Sequence, residues 1–215
     1  MIQKLLHYIW LGNNKTDLTL KCIDSFHSFM SDYEIIEWNE SNFDFSLLDE
    51  RSMHFYNKFY SEHKYAFCSD LLRLYILKRY GGIYVDTDVE FIKKLPDKFL
   101  EHAILGRINP QNSVCNGCIW GCEPNDYLVS IMICLFSKYI KTHESTYGSK
   151  WIFNTFFKSL FSTLGDIKTS SDITEFFNYR IYPVEYFCPM NGRNGELTVT
   201  ENTVSIHHFN LSWKK

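Results

Sequence analysis

No apolar run in this sequence approaches the roughly 20 residues that a membrane-spanning helix needs. The longest, Tyr127 to Phe136, is interrupted at Ser130. A basic stripe is missing too. Lysine and arginine total 22 against 25 acidic residues, and the net charge of -3 is spread along the chain, so the phosphate-neutralising surface that a nucleic acid demands is absent. Met1 to His7 carries no basic leader, no apolar core of signal length and no small-residue cleavage site. That predicts a protein of the cytoplasm, or one peripheral at the inner membrane. The seven cysteines are odd in number and lie mostly in apolar segments, which fits reduced core thiols rather than a disulfide framework. No repeat, low-complexity tract or linker-like stretch interrupts the 215 residues, and one domain spanning 1–215 with one active site is expected.

What is present is core-forming: 45% of residues are hydrophobic and 17% aromatic, the composition of a folded globular chain. Leu5 to Trp10 reads as a buried strand closed by the turn Leu11-Gly12-Asn13-Asn14. Thr16 is a helix cap for roughly 17–30, and Tyr33 to Trp38 is a second strand. Helical spacing from Glu62 to Tyr80 ends at Gly81-Gly82. Ile83-Tyr84-Val85-Asp86 then reads as a strand running straight into Asp88, with a break at Pro96. Further strands are expected near 102–108 and 114–121, helices near 125–141 and 149–164, and a last strand near 203–207. The pattern is α/β, with a mostly parallel central sheet flanked by helices.

In an extended strand Asp86 and Asp88 would share one face about 7 Å apart, with Thr87 turned away. Two crowded carboxylates repel unless a cation intervenes, and Mg²⁺ or Mn²⁺ favours such oxygens together with phosphate. The spacing alone is weak evidence, because a solvated pair at a strand end looks the same. An EF-hand loop is excluded by Phe91, which stands where that loop needs glycine. A glycosidase pair would have to flank the scissile bond instead of standing side by side.

Context sharpens the acidic pair. Tyr65-Ala66-Phe67-Cys68-Ser69-Asp70-Leu71-Leu72-Arg73-Leu74, followed by Tyr80-Gly81-Gly82-Ile83-Tyr84-Val85-Asp86-Thr87-Asp88, resembles the DXD-containing sugar-binding region of glycosyltransferase family 32. That family includes yeast mannosyltransferases and bacterial capsule or lipopolysaccharide glycosyltransferases, and is distantly similar to the glucosylating toxins of clostridia. Leu5 to Gly12 is similar to the family's opening strand, although Gln3 stands where proline is common. His207-His208-Phe209-Asn210-Leu211-Ser212-Trp213 resembles its terminus, whereas roughly 95–200 carries no motif that maps.

The resemblance implies a GT-A fold, a nucleoside-diphosphate sugar donor, Mn²⁺ or Mg²⁺, and retention of anomeric configuration. Carried onto matching positions, it makes Asp88 a direct metal ligand and gives Asp86 the donor's ribose or sugar, with the metal through water. Asp70 would hold sugar hydroxyls and Arg73 the diphosphate or sugar. Trp10 would stack on the base beside Leu11, with Tyr84 and Thr87 also at the donor. His207, His208 and Asn210 are the candidates for the remaining metal shell, with His207 favoured because neighbouring strand residues face opposite ways. Ser212 and Trp213 would close over the diphosphate. Without the resemblance, Asp70 and Arg73 read as a helix-surface ion pair and Trp10 as core.

Cys115-Asn116-Gly117-Cys118 with Cys122 lacks an evident fourth zinc ligand and reads as structural; Asn116 and Gly117 are possible donor or acceptor contacts by resemblance. The expected activity is transfer of a hexose or N-acetylhexosamine, with a UDP-sugar the first choice of donor, to a glycan or lipid-linked glycan in bacterial surface polysaccharide synthesis. The alternatives are an effector enzyme that modifies a host protein and a non-catalytic nucleotide-sugar-binding domain.

Overall fold

The computed structural model describes residues 1–12, 14–109, 113–142 and 172–210. The elements follow the order β1 (Leu5–Ile9), α1 (Asp17–Phe29), β2 (Glu34–Trp38), α2 (Glu50–Ser61), α3 (Tyr65–Tyr80), β3 (Gly82–Tyr84), β4 (Val89–Phe91), β5 (Ala103–Asn109) and β6 (Ser113–Cys122). Then come α4 (Tyr127–Thr142), β7 (Thr174–Phe176), β8 (Tyr179–Tyr182), the single turn α5 (Val184–Phe187) and β9 (Ser205–His207). The helix expected near 149–164 lies outside the described residues.

Seven strands form one sheet in the order β2-β1-β3-β6-β5-β8-β7, and β4 pairs with β9 in a separate ladder. β1 runs parallel to both β2 and β3, β5 runs parallel to β8, and β6 and β7 are antiparallel to their neighbours. Within the seven-stranded sheet, all strands except β6 and β7 therefore point one way. Along each strand, buried side chains alternate between two cores. Leu6, Ile83, Ile104 and Tyr182 enter the layer shared with Phe26 of α1. Ile9, Tyr84, Leu105 and Ile181 enter the layer shared with α2, α3 and α4.

Local signals explain the helices around this sheet. The Thr16 side chain accepts from the Thr19 amide at the start of α1, as expected of a cap. Asp49 does the same for α2 through the Ser52 amide. α3 has no side-chain cap; it is held by burial of every residue from Leu71 to Leu77, Arg73 included. Gly81 ends α3 with φ at 65°, and a Cβ there would lie 2.6 Å from the Pro124 ring.

One expectation is corrected. Strand β3 stops at Tyr84, and Asp86 and Asp88 occupy a turn in which the Val89 amide donates to the Asp86 carbonyl at 3.1 Å. The chain leaves the main sheet here to join the β4–β9 ladder, so it cannot run straight on. In this turn a carboxylate oxygen of Asp86 and one of Asp88 lie within 4.8 Å of each other.

Candidate active site

A cleft of about 620 Å³ opens where β1, β3 and the N-terminal half of α3 meet the β4–β9 ladder. It lies beyond the ends of the parallel strands, where open α/β sheets bind ligands. Trp10, Leu11, Asp70, Arg73, Tyr84, Asp86, Thr87, Asp88, His207 and Asn210 all line it. Residues brought together by resemblance are thus brought together in space.

Arg73 organises the floor. Its guanidinium lies 2.7 Å from Asp70 Oδ1 and 3.0 Å from Asp86 Oδ1, and stacks 4.6 Å from the centre of the Tyr84 ring. The Tyr84 hydroxyl donates to the same Asp86 oxygen at 3.0 Å. Burial pushes the Asp86 carboxyl up to about 6, with Asp88 adding to the shift and Arg73 opposing it. Burial would lower the Arg73 pKa, but Asp86, Tyr84 and Asp70 outweigh it and the shift is upward. The helix ion pair expected from spacing is therefore real, and it is buried at the base of the cleft.

Asp88 is held from the C-terminal side. β9 pairs with β4 in the register Val89↔His207, which sets His207 Nε2 3.1 Å from Asp88 Oδ1. The Asn210 amide donates to Asp88 Oδ2 at 2.8 Å. Burial would raise the Asp88 carboxyl, but His207 and the Asn210 amide outweigh it and hold the group below its usual range. For His207, burial favours the neutral ring, but the Asp88 charge dominates and raises its pKa well above the usual value. Asp86, Asp88 and His207 each offer one ligand atom, all within 4.8 Å of one another. Two carboxylate oxygens and an imidazole nitrogen suit Mn²⁺ or Mg²⁺ completed by phosphate oxygens.

His208 does not join this cluster: its Nε2 lies 2.8 Å from Glu90 Oε2, which also pairs with Lys21. Strand alternation turns it away from its neighbour. Asn210 lines the cleft and reaches Asp88 through its backbone amide. Ser212 and Trp213 lie outside the described residues.

The resemblance offered Asn116 and Gly117 of β6 as donor or acceptor contacts, and both line the cleft; the irregular pairing that places them there was not foreseen. The register of β6 with β5 shifts between Leu105 and Gly106, so that Leu105 faces Trp120 while Gly106 faces Cys115. The slack brings Asn116 and Gly117 to the cleft, while Cys118 and Ile119 stay in the core. There the Gly117 carbonyl accepts from the Asp86 amide at 2.7 Å, and a Cβ on Gly117 would stand 1.8 Å from Asp86 Oδ2. Beside it, Asn116 Nδ2 is buried with no hydrogen-bond partner. An isolated glycine inside a strand pattern was the available signal. Tyr65 was also missed as a wall residue: its ring fills the space beside Gly12, whose φ is 83°.

Residues 16–112 match the family described as "Glycosyltransferase sugar-binding region containing DXD motif". The chain is 25% identical over 177 residues to "Subversion of eukaryotic traffic protein A" of Legionella pneumophila, covering 66% of this chain and 27% of that protein. It is 41% identical over 58 residues to a "Toxin" of Photorhabdus asymbiotica, covering 27% of this chain and 2% of that one. The chain thus spans a minor part of either curated relative. Among solved structures, "PaToxG Glycosyltransferase" gives a TM-score of 0.58 at 22% identity, over 76% of this chain and 70% of that one. The ligand-free glycosyltransferase domain of the YGT toxin gives 0.51 at 11% identity, over 75% and 68%. The likeness is one of fold, and the fold is the expected GT-A arrangement.

Proposed function

We propose that this chain, whose residues 16–112 match a DXD-containing glycosyltransferase sugar-binding region, transfers a hexose or N-acetylhexosamine from a nucleoside-diphosphate sugar. A UDP-sugar is the first choice of donor, Mn²⁺ or Mg²⁺ the cofactor, and retention the stereochemical course. The observation that carries this reading is the convergence of Asp86, Asp88 and His207 within 4.8 Å on a cleft floored by Arg73. A binding-only module has no need of a crowded acidic pair whose ionisation costs free energy.

A divalent cation held by Asp88 and His207, with Asp86 beside it, would supply charge neutralisation for the departing diphosphate. The chain's own residues do the rest. Arg73, fixed by two carboxylates and a tyrosine ring, presents a permanent positive charge at the cleft floor. Asp70 accepts hydrogen bonds from sugar hydroxyls. Asn116 Nδ2 supplies a donor that awaits an acceptor. Trp10 and Leu11 form a platform for the base at the strand end.

The relatives favour a protein acceptor over a surface glycan: one carries the name Subversion of eukaryotic traffic protein A, and the others are toxins or toxin domains. Among the described residues no helix is long and apolar enough to cross a membrane.

The test is release of nucleoside diphosphate from a panel of UDP- and GDP-sugars with Mn²⁺ or with EDTA, for wild type and Asp88→Ala. Turnover of one donor that needs both metal and Asp88 is expected; labelled donor then separates protein acceptors from glycans. If no donor is bound or consumed under any condition, the reading is wrong.

A further inference from the structure

Behind the acidic pair, His207 is held from its other side by sulfur. Its Nδ1 lies 3.7 Å from Cys115 Sγ and 3.8 Å from Cys188 Sγ, while Nε2 faces Asp88 Oδ1 at 3.1 Å. Phe209 packs against the ring at 4.4 Å between centroids. The group is buried: His207 is 7% exposed, Cys115 6% and Cys188 2%. The two sulfurs come from distant parts of the chain, Cys115 from β6 at the edge of its slack loop and Cys188 from the residue after α5. Neither is drawn there by strand pairing with β9, whose partner is β4.

An imidazole that gives a lone pair to a metal through one nitrogen carries its hydrogen on the other, and that hydrogen needs an acceptor. Carboxylates and backbone carbonyls usually fill this role. At His207 Nδ1 the hydrogen-bonding atoms are the two sulfurs. Cys115 Sγ is further marked as an acceptor, because it takes the Cys118 amide at 3.3 Å. Cys118, equally buried, turns its own thiol to the Cys115 carbonyl.

We propose that Cys115 and Cys188 are positioning residues for the metal site: their sulfurs jointly accept the Nδ1 hydrogen of His207 and so present Nε2 to the cation beside Asp86 and Asp88. This rests on the metal reading given under Proposed function. It assigns a role to the first cysteine of the Cys115-Asn116-Gly117-Cys118 motif, and it makes the outer shell of this site sulfur in place of oxygen. Buried cysteines acting only as small apolar filler would tolerate alanine or the slightly larger valine, neither of which accepts a hydrogen bond.

The test compares the full-length wild type with Cys115→Val/Cys188→Val, Cys115→Ser/Cys188→Ser and Cys122→Ala, the last a buried thiol elsewhere on β6. Free Mn²⁺ is titrated by electron paramagnetic resonance, and the His207 tautomer is read by long-range proton–nitrogen correlation with Mg²⁺. The valine pair is expected to weaken Mn²⁺ about 10- to 100-fold and to lose the Nδ1–H form. The serine pair, which restores acceptors, recovers most of the affinity, and Cys122→Ala matches wild type. If the valine pair fails to fold, Cys115→Ala/Cys188→Ala serves the same comparison. A folded valine or alanine pair with wild-type Mn²⁺ affinity overturns the proposal alone; a wild type that takes up no Mn²⁺ overturns it together with the metal reading.

Discussion

Arg73 is the charged member of an otherwise apolar run from Leu71 to Leu77, and it is affordable only because Asp70 and Asp86 face it. Removing the cation strands two partly buried carboxylates. Arg73→Met is therefore expected to cost about 3–5 kcal/mol in urea unfolding, with Arg73→Lys intermediate because an ammonium cannot bridge both carboxylates as a planar fork does. His7 supplies a pH dependence away from the cleft. It is fully buried, accepts the Trp38 indole hydrogen at Nδ1 and lies 3.0 Å from the Gly81 carbonyl at Nε2; burial lowers its pKa to about 4. The unfolded chain binds this proton near pH 6.5 and the folded chain only near 4, so stability falls as pH drops through that window. The loss is about 3 kcal/mol, and His7→Gln should flatten the slope in urea titrations run between pH 4 and 7. Asp70, Arg73 and the acidic pair were legible in the sequence through the resemblance carried by residues 65–74 and 80–88, because spacing alone also fits a surface ion pair and a solvated acidic pair. The contact of Cys115 and Cys188 with His207 was not, since no local pattern joins residues so far apart in the chain.

At the scale of elements, the strands and helices near the N-terminus followed their caps and periodicities closely. α1 begins one residue after Thr16, and β2 ends at Trp38. α2 was overlooked, although Asp49 is a regular cap for it. The acidic turn departed from its expected strand because the β4–β9 ladder, a pairing of remote segments, redirects the chain. The slack loop in β6 is the least forgiving element: Gly117→Ala must displace the Asp86 carboxylate, whose Oδ2 lies 1.8 Å from the new Cβ. At least a roughly tenfold loss of Mn²⁺ affinity, with an unchanged circular dichroism spectrum, is the expected result. Phe209 is strained as well, with φ at 53°, a region costly for a bulky side chain. Phe209→Gly should therefore be more stable than Phe209→Ala by about 1 kcal/mol, as read from denaturation midpoints.

For the whole molecule, the sequence indicated a mostly parallel sheet flanked by helices but no strand order, because an α/β pattern leaves several sheet orders open. The antiparallel insertion of β6 between β3 and β5 is one such feature. Ligands that bind only the folded chain should raise its melting temperature together. Donor nucleotide plus Mn²⁺ at about 100 times Kd adds about 2.7 kcal/mol, a rise of roughly 5–10 °C for a chain of this size, and EDTA should erase it in a thermal scan.

The bond between Asp88 and the Asn210 amide joins residues 122 positions apart, and this sets a clock on synthesis. At 5–20 residues per second, a ribosome needs roughly 6 to 25 s to make the second partner after the first. Throughout that interval the acidic turn exists without His207 or the ladder that holds it. A nascent chain therefore carries the acidic turn without the partners that hold it until Ser205–His207 and Asn210 have been made.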